Sequence, residues 1–130
     1  MGAKSQRKGR SGELELARVL QSYGYPVEAG RAQSYGETPD LSGLHQIHIE
    51  CKRCQQARLE TWMEQATRDA QRFQDGIPAI FHRKDRSPWL VTMRLEDWLE
   101  LYQKAQECQC GGACSSAKSG NNQKIMEKGE

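Results

Sequence analysis

The sequence predicts an α/β fold in which a mixed central β-sheet of about five strands is flanked by helices. Three observations predict it: the order of the periodic segments, a strictly alternating run in the middle of the chain, and a length that suits one domain. Along the 130 residues the segments follow the order helix, three strands, helix, two strands and helix. A chain of this length can bury a single core without disulfides.

Composition divides the chain into three parts. Residues 1–10 carry four cations and no acid, which predicts a basic, flexible arm. Residues 11–104 hold the periodic segments and form the predicted domain. Residues 105–130 are mostly polar, so they cannot bury enough apolar surface to offset the entropy of ordering, and we expect a disordered tail.

The first helix is predicted from Ser11, a possible N-cap, to Tyr23, with Gly24 as its stop. Its apolar face is marked by the spacing of Leu16, Leu20 and Tyr23. The letters YPVEAG then indicate a short strand, and Pro26 suits the first position of a strand or an edge.

The next two strands are separated by a short turn. Residues 30–39 are polar and Gly-rich, which indicates a loop, and a short strand is expected from Asp40 to Leu44. Residues 46–52 alternate strictly, which is typical of a strand. One face holds Gln46, His48, Glu50 and Lys52, and the other holds Ile47, Ile49 and Cys51.

The second half of the domain predicts a helix, two strands and a helix. Thr61 is the expected N-cap of the second helix and Gly76 its end, with an apolar stripe of Trp62, Ala66, Ala70 and Phe73. The segments IPAIFHR and PWLVTM indicate strands joined by the turn KDRS. The third helix, RLEDWLELYQKAQ, is expected to face inward with Leu95, Trp98, Leu99 and Tyr102.

Several classes of protein are not expected. The sequence has no N-terminal apolar segment of a signal peptide and no run of 18 apolar residues. Its five cysteines, without a secretory context, indicate reduced thiols and a cytoplasmic protein. Cys51 and Cys54 have the spacing of zinc ligands. We nevertheless expect no structural zinc. Cys51 falls on the core face, and the three cysteines near the end of the sequence lie in the predicted tail without a histidine: Cys108, Cys110 and Cys114.

Charged residues stand where a half-buried sheet should be apolar. Glu50 and Lys52 share one strand face, about 7 Å apart along the strand. Asp40 begins the preceding strand, and a hairpin would return it to the end of the Glu50 strand. Glu13 lies at the rim of the first helix's apolar stripe, where a charge is costly without a partner.

Clustered carboxylates repel each other unless a cation lies between them. Mg²⁺ is an oxygen-seeking cation that takes one or two carboxylates and keeps several waters. Asp40 and Glu50 offer this ligand set, and the main-chain carbonyl of Cys51 would add a third oxygen. Such a metal would polarise a phosphodiester, and Lys52 would orient the attacking water or hold the developing charge on phosphorus.

Each of these residues also has an ordinary structural interpretation. Glu50 and Lys52 would form a surface ion pair worth about 0–1 kcal/mol. Asp40 after Pro39 is a common turn pairing, and Glu13 would complement the positive end of a helix. The four residues together, at these spacings, favour the functional interpretation.

The combined pattern resembles the PD-(D/E)xK nuclease signature, as Pro39-Asp40 followed after nine residues by Glu50-Cys51-Lys52. The stretch KGRSGELELARVLQSYGY, residues 8–25, resembles the first helix of archaeal-type Holliday junction resolvases. The stretch TWMEQATRDAQRFQDGIPAIFHRK is similar to the helix and strand that follow the catalytic strand in that family. The resemblance covers about residues 7–102.

This resemblance implies a homodimeric, Mg²⁺-dependent (or Mn²⁺-dependent) endonuclease with a restriction-endonuclease-like core, acting on branched DNA. It implies that Glu13, Asp40 and Glu50 are the acids of the metal site and that Lys52 is the catalytic lysine. It also places a serine in the loop before the Pro-Asp pair, for which Ser34 is the candidate. A phage or bacterial source would fit.

The remaining candidate residues are contacts to DNA or neighbours of the site. Cations on the arm, the loop and the strand ends are expected near phosphates, although a solvated face is the ordinary role of each. The predicted DNA contacts are Lys4, Arg7, Lys8, Arg10, Arg31, Ser34, Arg53, Arg83 and Lys84. Gln65 on the second helix and His48 on the site strand are further candidates, the alternatives being an exposed helix residue and a partly exposed strand residue.

Three other functions remain open from the sequence. A nuclease of the same core could act in repair, nicking or restriction rather than on junctions. A non-catalytic nucleic-acid-binding module would share the basic residues but would not need the acids and the lysine. A small scaffold protein would carry the strand charges without any chemistry.

Overall fold

The computed structural model describes the backbone of residues 2–30 and 38–111, and the side chains of residues 10–30 and 38–108. It divides into two compact units, Met1–Met93 and Arg94–Glu130. The first unit contains the sheet and two helices, and the described part of the second unit contains one helix.

The order of elements agrees with the sequence prediction. The helices are α1 (Gly2–Ser22), α2 (Leu59–Phe73) and α3 (Leu95–Gly111). The strands are β1 (Glu28–Ala29), β2 (Leu41–Ser42), β3 (Ile47–Arg53), β4 (Ile77–Arg83) and β5 (Leu90–Thr92). In the described residues the five strands form one mixed sheet in the order β1-β2-β3-β4-β5, which confirms the predicted α/β class.

The centre of the sheet is a parallel pair, β3 and β4, in which Glu50 lies opposite Ile80 and Lys52 opposite His82. The other pairings are antiparallel. Side chains of a strand alternate between faces, and the two faces of this pair belong to different clusters. The larger cluster consists of Leu16, Ala17, Val27, Leu41, Ile49, Ala79 and Phe81, and the smaller of Trp62, Ala66 and Ile80. The alternation therefore directs Glu50 and Lys52 to the face that α2 covers.

The β2–β3 hairpin brings Asp40 to the central strand. Leu41 pairs with Ile49, and both side chains are fully buried. The turn depends on Gly43, whose φ is +124° and whose added Cβ would lie 2.3 Å from the Pro26 carbonyl oxygen. A side chain is excluded there both by backbone conformation and by space.

Helix α1 is longer than the sequence predicted. It begins at Gly2, so the prediction that Ser11 is its N-cap is wrong. Most residues before Ser11 are good helix formers, which lets the helix continue without an apolar stripe. The predicted stop is confirmed, because α1 ends at Ser22 and Gly24 has a φ of +95°. The proposed arm is thus helical in its backbone.

Helix α2 begins two residues before the expected Thr61, after Arg58, which makes no side-chain capping hydrogen bond. The N-cap prediction is therefore wrong, because a helix can begin without a capping side chain when its apolar face is buried. The predicted stripe is confirmed at Trp62, Ala66 and Ala70, which are all buried.

Helix α3 has the predicted position but not the predicted burial. Its large apolar side chains Leu95, Trp98, Leu99 and Tyr102 are exposed, so the expected inward face is wrong. An apolar stripe shows which side of a helix prefers burial, but not what covers it. The helix continues to Gly111, so the tail predicted from residue 105 is helical in its first part. Residues 112–130 of that tail lie outside the described residues.

Candidate active site

The structure brings three predicted acids from three elements together. Asp40 precedes β2, and its Oδ2 accepts a hydrogen bond from the backbone N–H of Cys51 at 3.3 Å. The Glu50 carboxylate is close enough to Asp40 and to Glu13 on α1 to raise the pKa of both. The hairpin and the helix thus converge on the end of β3.

Burial and neighbouring carboxylates raise the pKa of two of these acids, Asp40 and Glu13. Burial raises the pKa of Asp40 to about 7, and the charges of Glu50 and Glu13 contribute to the rise. Burial also raises the pKa of Glu13, although Arg10, whose Nη1 lies 3.6 Å from the Glu13 Oε2, opposes the rise. This mutual repulsion is the situation that a bound cation relieves.

The oxygen donors of this cluster fit Mg²⁺. They are hard, anionic and partly screened from water, and Mg²⁺ binds through one or two carboxylates while retaining waters. Asp40 provides the structural test, since burial and the charges of Glu50 and Glu13 raise its pKa, and a bound cation would offset these effects.

Lys52 is held by two partners from the same side of the sheet. Its Nζ donates a hydrogen bond to the Gln65 Oε1 at 2.9 Å and lies 3.6 Å from the Glu50 Oε1. Glu50 is 3% exposed, whereas the Lys52 side chain is 20% exposed. The carboxylate is therefore enclosed, while the ammonium reaches the surface. The prediction that Gln65 neighbours the site agrees with this geometry.

His48 is more deeply buried than the sequence indicated, with 1% of its surface exposed. Its Nδ1 lies 2.9 Å from both carboxylate oxygens of Asp75, and its Nε2 lies 3.4 Å from the Glu50 Oε2. Burial lowers the pKa of His48, but the bonds to Glu50 and Asp75 outweigh burial and raise it overall. The expected partly exposed strand residue is thus wrong, because α2 and the segment after it cover this face.

Two acids near the site were not found from the sequence. Asp75 precedes Gly76 after the end of α2, and no pattern pairs it with a histidine 27 positions earlier. Asp69 lies four residues after Gln65, and residues with this spacing share a helix face. That spacing is a signal that would have placed Asp69 beside the site strand.

Some of the predicted DNA contacts lie outside the described residues, others are held in ion pairs or hydrogen bonds, and one is exposed. The side chains of Lys4, Arg7 and Lys8 and all of Arg31 and Ser34 lie outside the described residues. Arg53 pairs with Glu15 at 3.4 Å and Asp85 at 2.6 Å, and Arg83 pairs with the same Glu15. Arg10 binds the Gly30 carbonyl oxygen. Lys84 is exposed in the turn between β4 and β5.

Cys51 on β3 and Cys54, which follows the strand, are both free thiols. Cys51 packs against the larger core cluster, and Cys54 is exposed. Burial raises the pKa of the Cys51 thiol strongly, which opposes the thiolate form that zinc requires. Cys110 and Cys114 lie outside the described side chains.

A mixed sheet flanked by helices, with Asp40 just before β2 and with Glu50 and Lys52 on the neighbouring strand β3, defines the PD-(D/E)xK class with a restriction-endonuclease-like core. Residues 4–123 match the family model described as "Phage putative PDDEXK endonuclease", and the chain belongs to this family. Comparison with curated proteins and with solved structures gave no significant match. Among the described residues, no helix has the length and apolar character needed to cross a membrane.

Proposed function

We propose that this protein is a Mg²⁺-dependent DNA endonuclease that cuts branched DNA, with four-way junctions as its preferred substrate, and that it acts as a homodimer. The observation that carries the proposal is the convergence of Glu13, Asp40, Glu50 and Lys52 at one end of β3. Clustered carboxylates beside a lysine are the groups that metal-assisted phosphodiester hydrolysis uses, and membership of an endonuclease family supports the proposal.

The metal ligands in this proposal are the carboxylates of Asp40, Glu50 and Glu13 and the main-chain carbonyl of Cys51. When bound there, Mg²⁺ (or Mn²⁺) supplies charge that polarises the phosphodiester and lowers the pKa of a neighbouring water. The protein itself fixes the positions of these carboxylates in the absence of metal. The Cys51 N–H donates a hydrogen bond to Asp40, and the side chain of Glu50 is buried.

Lys52 is the proposed catalytic cation. A water oxygen forms a bond to phosphorus while one phosphate ester bond breaks, and the water proton leaves to solvent as the departing oxygen gains one. Negative charge grows on the phosphate oxygens during this exchange, and an ammonium group aimed at them stabilises that charge. Gln65 keeps the Nζ of Lys52 in place through the 2.9 Å hydrogen bond.

A groove beside the site offers a path for the DNA backbone. It is lined by residues of β4 and the turn after it, including His82, Arg83 and Lys84, together with Trp62. His82 lies opposite Lys52 in the parallel strand pair, so the groove begins next to the site. We place the phosphate contacts of Arg83 and Lys84 here and those of Lys4, Arg7, Lys8 and Arg10 on α1. Arg53 would bind phosphate once its ion pairs with Glu15 and Asp85 break. Arg31 and Ser34, which lie outside the described residues, complete the proposed DNA contacts.

The junction preference rests on the resemblance of residues 7–102 to archaeal-type resolvases. A four-way junction has two-fold symmetry, and a two-fold dimer presents one site to each of two strands. Exposed apolar side chains support self-association. They are Leu90 and Val91 on the edge strand β5 and, in the second unit, Leu95, Trp98 and Leu99.

Cleavage of four synthetic substrates of the same sequence tests this function: a junction, a fork, a linear duplex and a single strand, each with and without Mg²⁺. We expect cuts only with Mg²⁺ and fastest on the junction. Preference for linear duplex would contradict the junction claim and favour a repair, nicking or restriction activity. Binding without cleavage in Mg²⁺ and in Mn²⁺ would favour the non-catalytic module.

A further inference from the structure

A second group of possible metal ligands lies on the α2 side of Glu50. The ligand atoms of His48, Glu50 and Asp69 all lie within 4.8 Å of one another. His48 and Glu50 are buried, and Asp69 is half-buried on α2. The catalytic scheme above uses neither His48 nor Asp69, so their burial beside Glu50 calls for another explanation.

Asp75 determines which nitrogen of His48 faces Glu50. A carboxylate only accepts hydrogen bonds, so the Nδ1 that lies 2.9 Å from both oxygens of Asp75 carries a proton. In the neutral imidazole the lone pair is then on Nε2, which is directed at the Glu50 Oε2. A metal ion between Nε2 and the Glu50 Oε2 would take the place of the proton that these two atoms otherwise share, because metal binding requires a deprotonated ring nitrogen.

The separation of these two atoms suits an ion better than a hydrogen bond. At 3.4 Å, the distance between the His48 Nε2 and the Glu50 Oε2 is long for a hydrogen bond. Two ligands on one tetrahedral ion, each about 2.1 Å from the metal, are about 3.4 Å apart. A carboxylate on the far ring nitrogen, as Asp75 provides, is also the usual support for a metal-binding histidine.

We propose that His48, Glu50 and Asp69 form a second metal site that takes a first-row transition ion such as Mn²⁺ or Zn²⁺, with Glu50 bridging to the Mg²⁺ site. The imidazole nitrogen favours such ions over Mg²⁺, which prefers oxygen ligands only. Asp75 is a positioning residue that fixes the ring. The inference rests on the proposed function because the two sites share Glu50.

Counting Mn²⁺ ions by electron paramagnetic resonance titration tests this site, and Mn²⁺ also avoids competition from the cysteines because thiolates prefer softer ions. We expect two ions per wild-type chain and a pulsed-resonance signal from a coordinated nitrogen. His48→Gln should bind one ion without the nitrogen signal. His45→Gln, which changes an exposed histidine of the preceding turn, should behave as wild type.

Two further variants separate this inference from the proposed function. Asp69→Asn leaves the buried histidine intact and should weaken binding of the second ion at least tenfold. This variant therefore tests the second site even if His48→Gln fails to fold. Asp40→Asn should lose one ion but keep the nitrogen signal. One wild-type ion without a nitrogen signal overturns the second site alone, whereas no bound ion overturns both sites. A single ion whose nitrogen signal survives Asp40→Asn supports the second site and contradicts the Asp40 centre.

Discussion

The Nζ of Lys52 donates a hydrogen bond to the Oε1 of Gln65 at 2.9 Å, and this contact joins the site strand to α2. Within the described part of the chain, the other partner that directs the ammonium is the Glu50 carboxylate, 3.6 Å away. A flexible four-carbon side chain needs such a second partner to hold one geometry. Helix α2 therefore acts on the site as well as covering the sheet.

The first prediction concerns this contact. Gln65→Ala should lower the cleavage rate about tenfold to hundredfold, because a misplaced reacting group costs up to about that factor. Metal binding and folding should be unchanged, since Gln65 is no proposed metal ligand. Gln71→Ala, an exposed glutamine on the same helix, is the matched control in a single-turnover cleavage assay. Equal rates for both variants would show that Gln65 does not position Lys52.

The second prediction concerns the close approach of α1 to β3. Gly12 is buried, and an added Cβ would lie 2.8 Å from the Cβ of Arg53. Gly12→Ala should therefore destabilise the fold by about 1–3 kcal/mol, as overpacking does, despite the higher helix propensity of alanine. Ser11→Ala, at the exposed neighbouring position, should leave the free energy of unfolding nearly unchanged in urea titrations. A stabilised Gly12→Ala variant would mean that α1 does not pack on β3 in this way.

The third prediction concerns pH in the absence of metal. The pKa of Asp40 rises from 3.8 to about 7 in the folded protein, so folding takes up a proton between these values. The stabilisation from protonated Asp40 is complete below pH 3.8 and is lost as the pH rises through 7. In EDTA, the melting temperature of wild type should fall relative to that of Asp40→Asn by at least about 4 °C between pH 5 and pH 8.

Magnesium supplies the control for this pH effect. At pH 8, saturating Mg²⁺ should raise the melting temperature of wild type, because it binds the folded state, and should raise that of Asp40→Asn much less. Parallel pH profiles of the two proteins in EDTA would contradict the raised pKa of Asp40.

The fourth prediction concerns assembly. Val91 is 56% exposed on the edge strand β5, and Trp98 is 48% exposed on α3. If a second copy buries one of these surfaces, Val91→Glu or Trp98→Glu should weaken the dimer at least tenfold in sedimentation equilibrium, because a charge would be buried without a partner. Glu100→Gln, an exposed change on α3, is the control. A monomeric wild-type protein at micromolar concentration would contradict the dimer.

Local patterns predicted most of the fold. Alternation along Ile47–Arg53 identified the site strand and its two faces, and the spacing of Trp62, Ala66 and Ala70 identified α2. The predicted first residues of α1 and α2 were wrong because a helix does not need a capping residue where helix propensity or burial supports its first turn. The predicted burial of α3 was wrong because an apolar stripe does not specify the surface that covers it.

The site was predictable to the extent that its residues share a strand or a hairpin. The positions of Asp40, Glu50 and Lys52 follow from the alternation along β3 and from the turn between β2 and β3. The pairing of His48 with Asp75 was not predictable, because it joins β3 to the end of α2 through the fold alone. The ion pairs of Arg53 and Arg83 with Glu15 likewise join distant segments that no local spacing relates.

Junction cleavage in Mg²⁺ by wild type, Asp40→Asn and Lys52→Ala tests the central claim most directly. We expect both variants to lose at least about 10²–10³-fold in cleavage rate, which is the usual loss when charge stabilisation is removed, while their binding to the junction in a mobility-shift assay persists. The exposed change Lys84→Ala should weaken binding more than catalysis at saturating protein. Normal cleavage by both Asp40→Asn and Lys52→Ala would contradict the assignment of the active site.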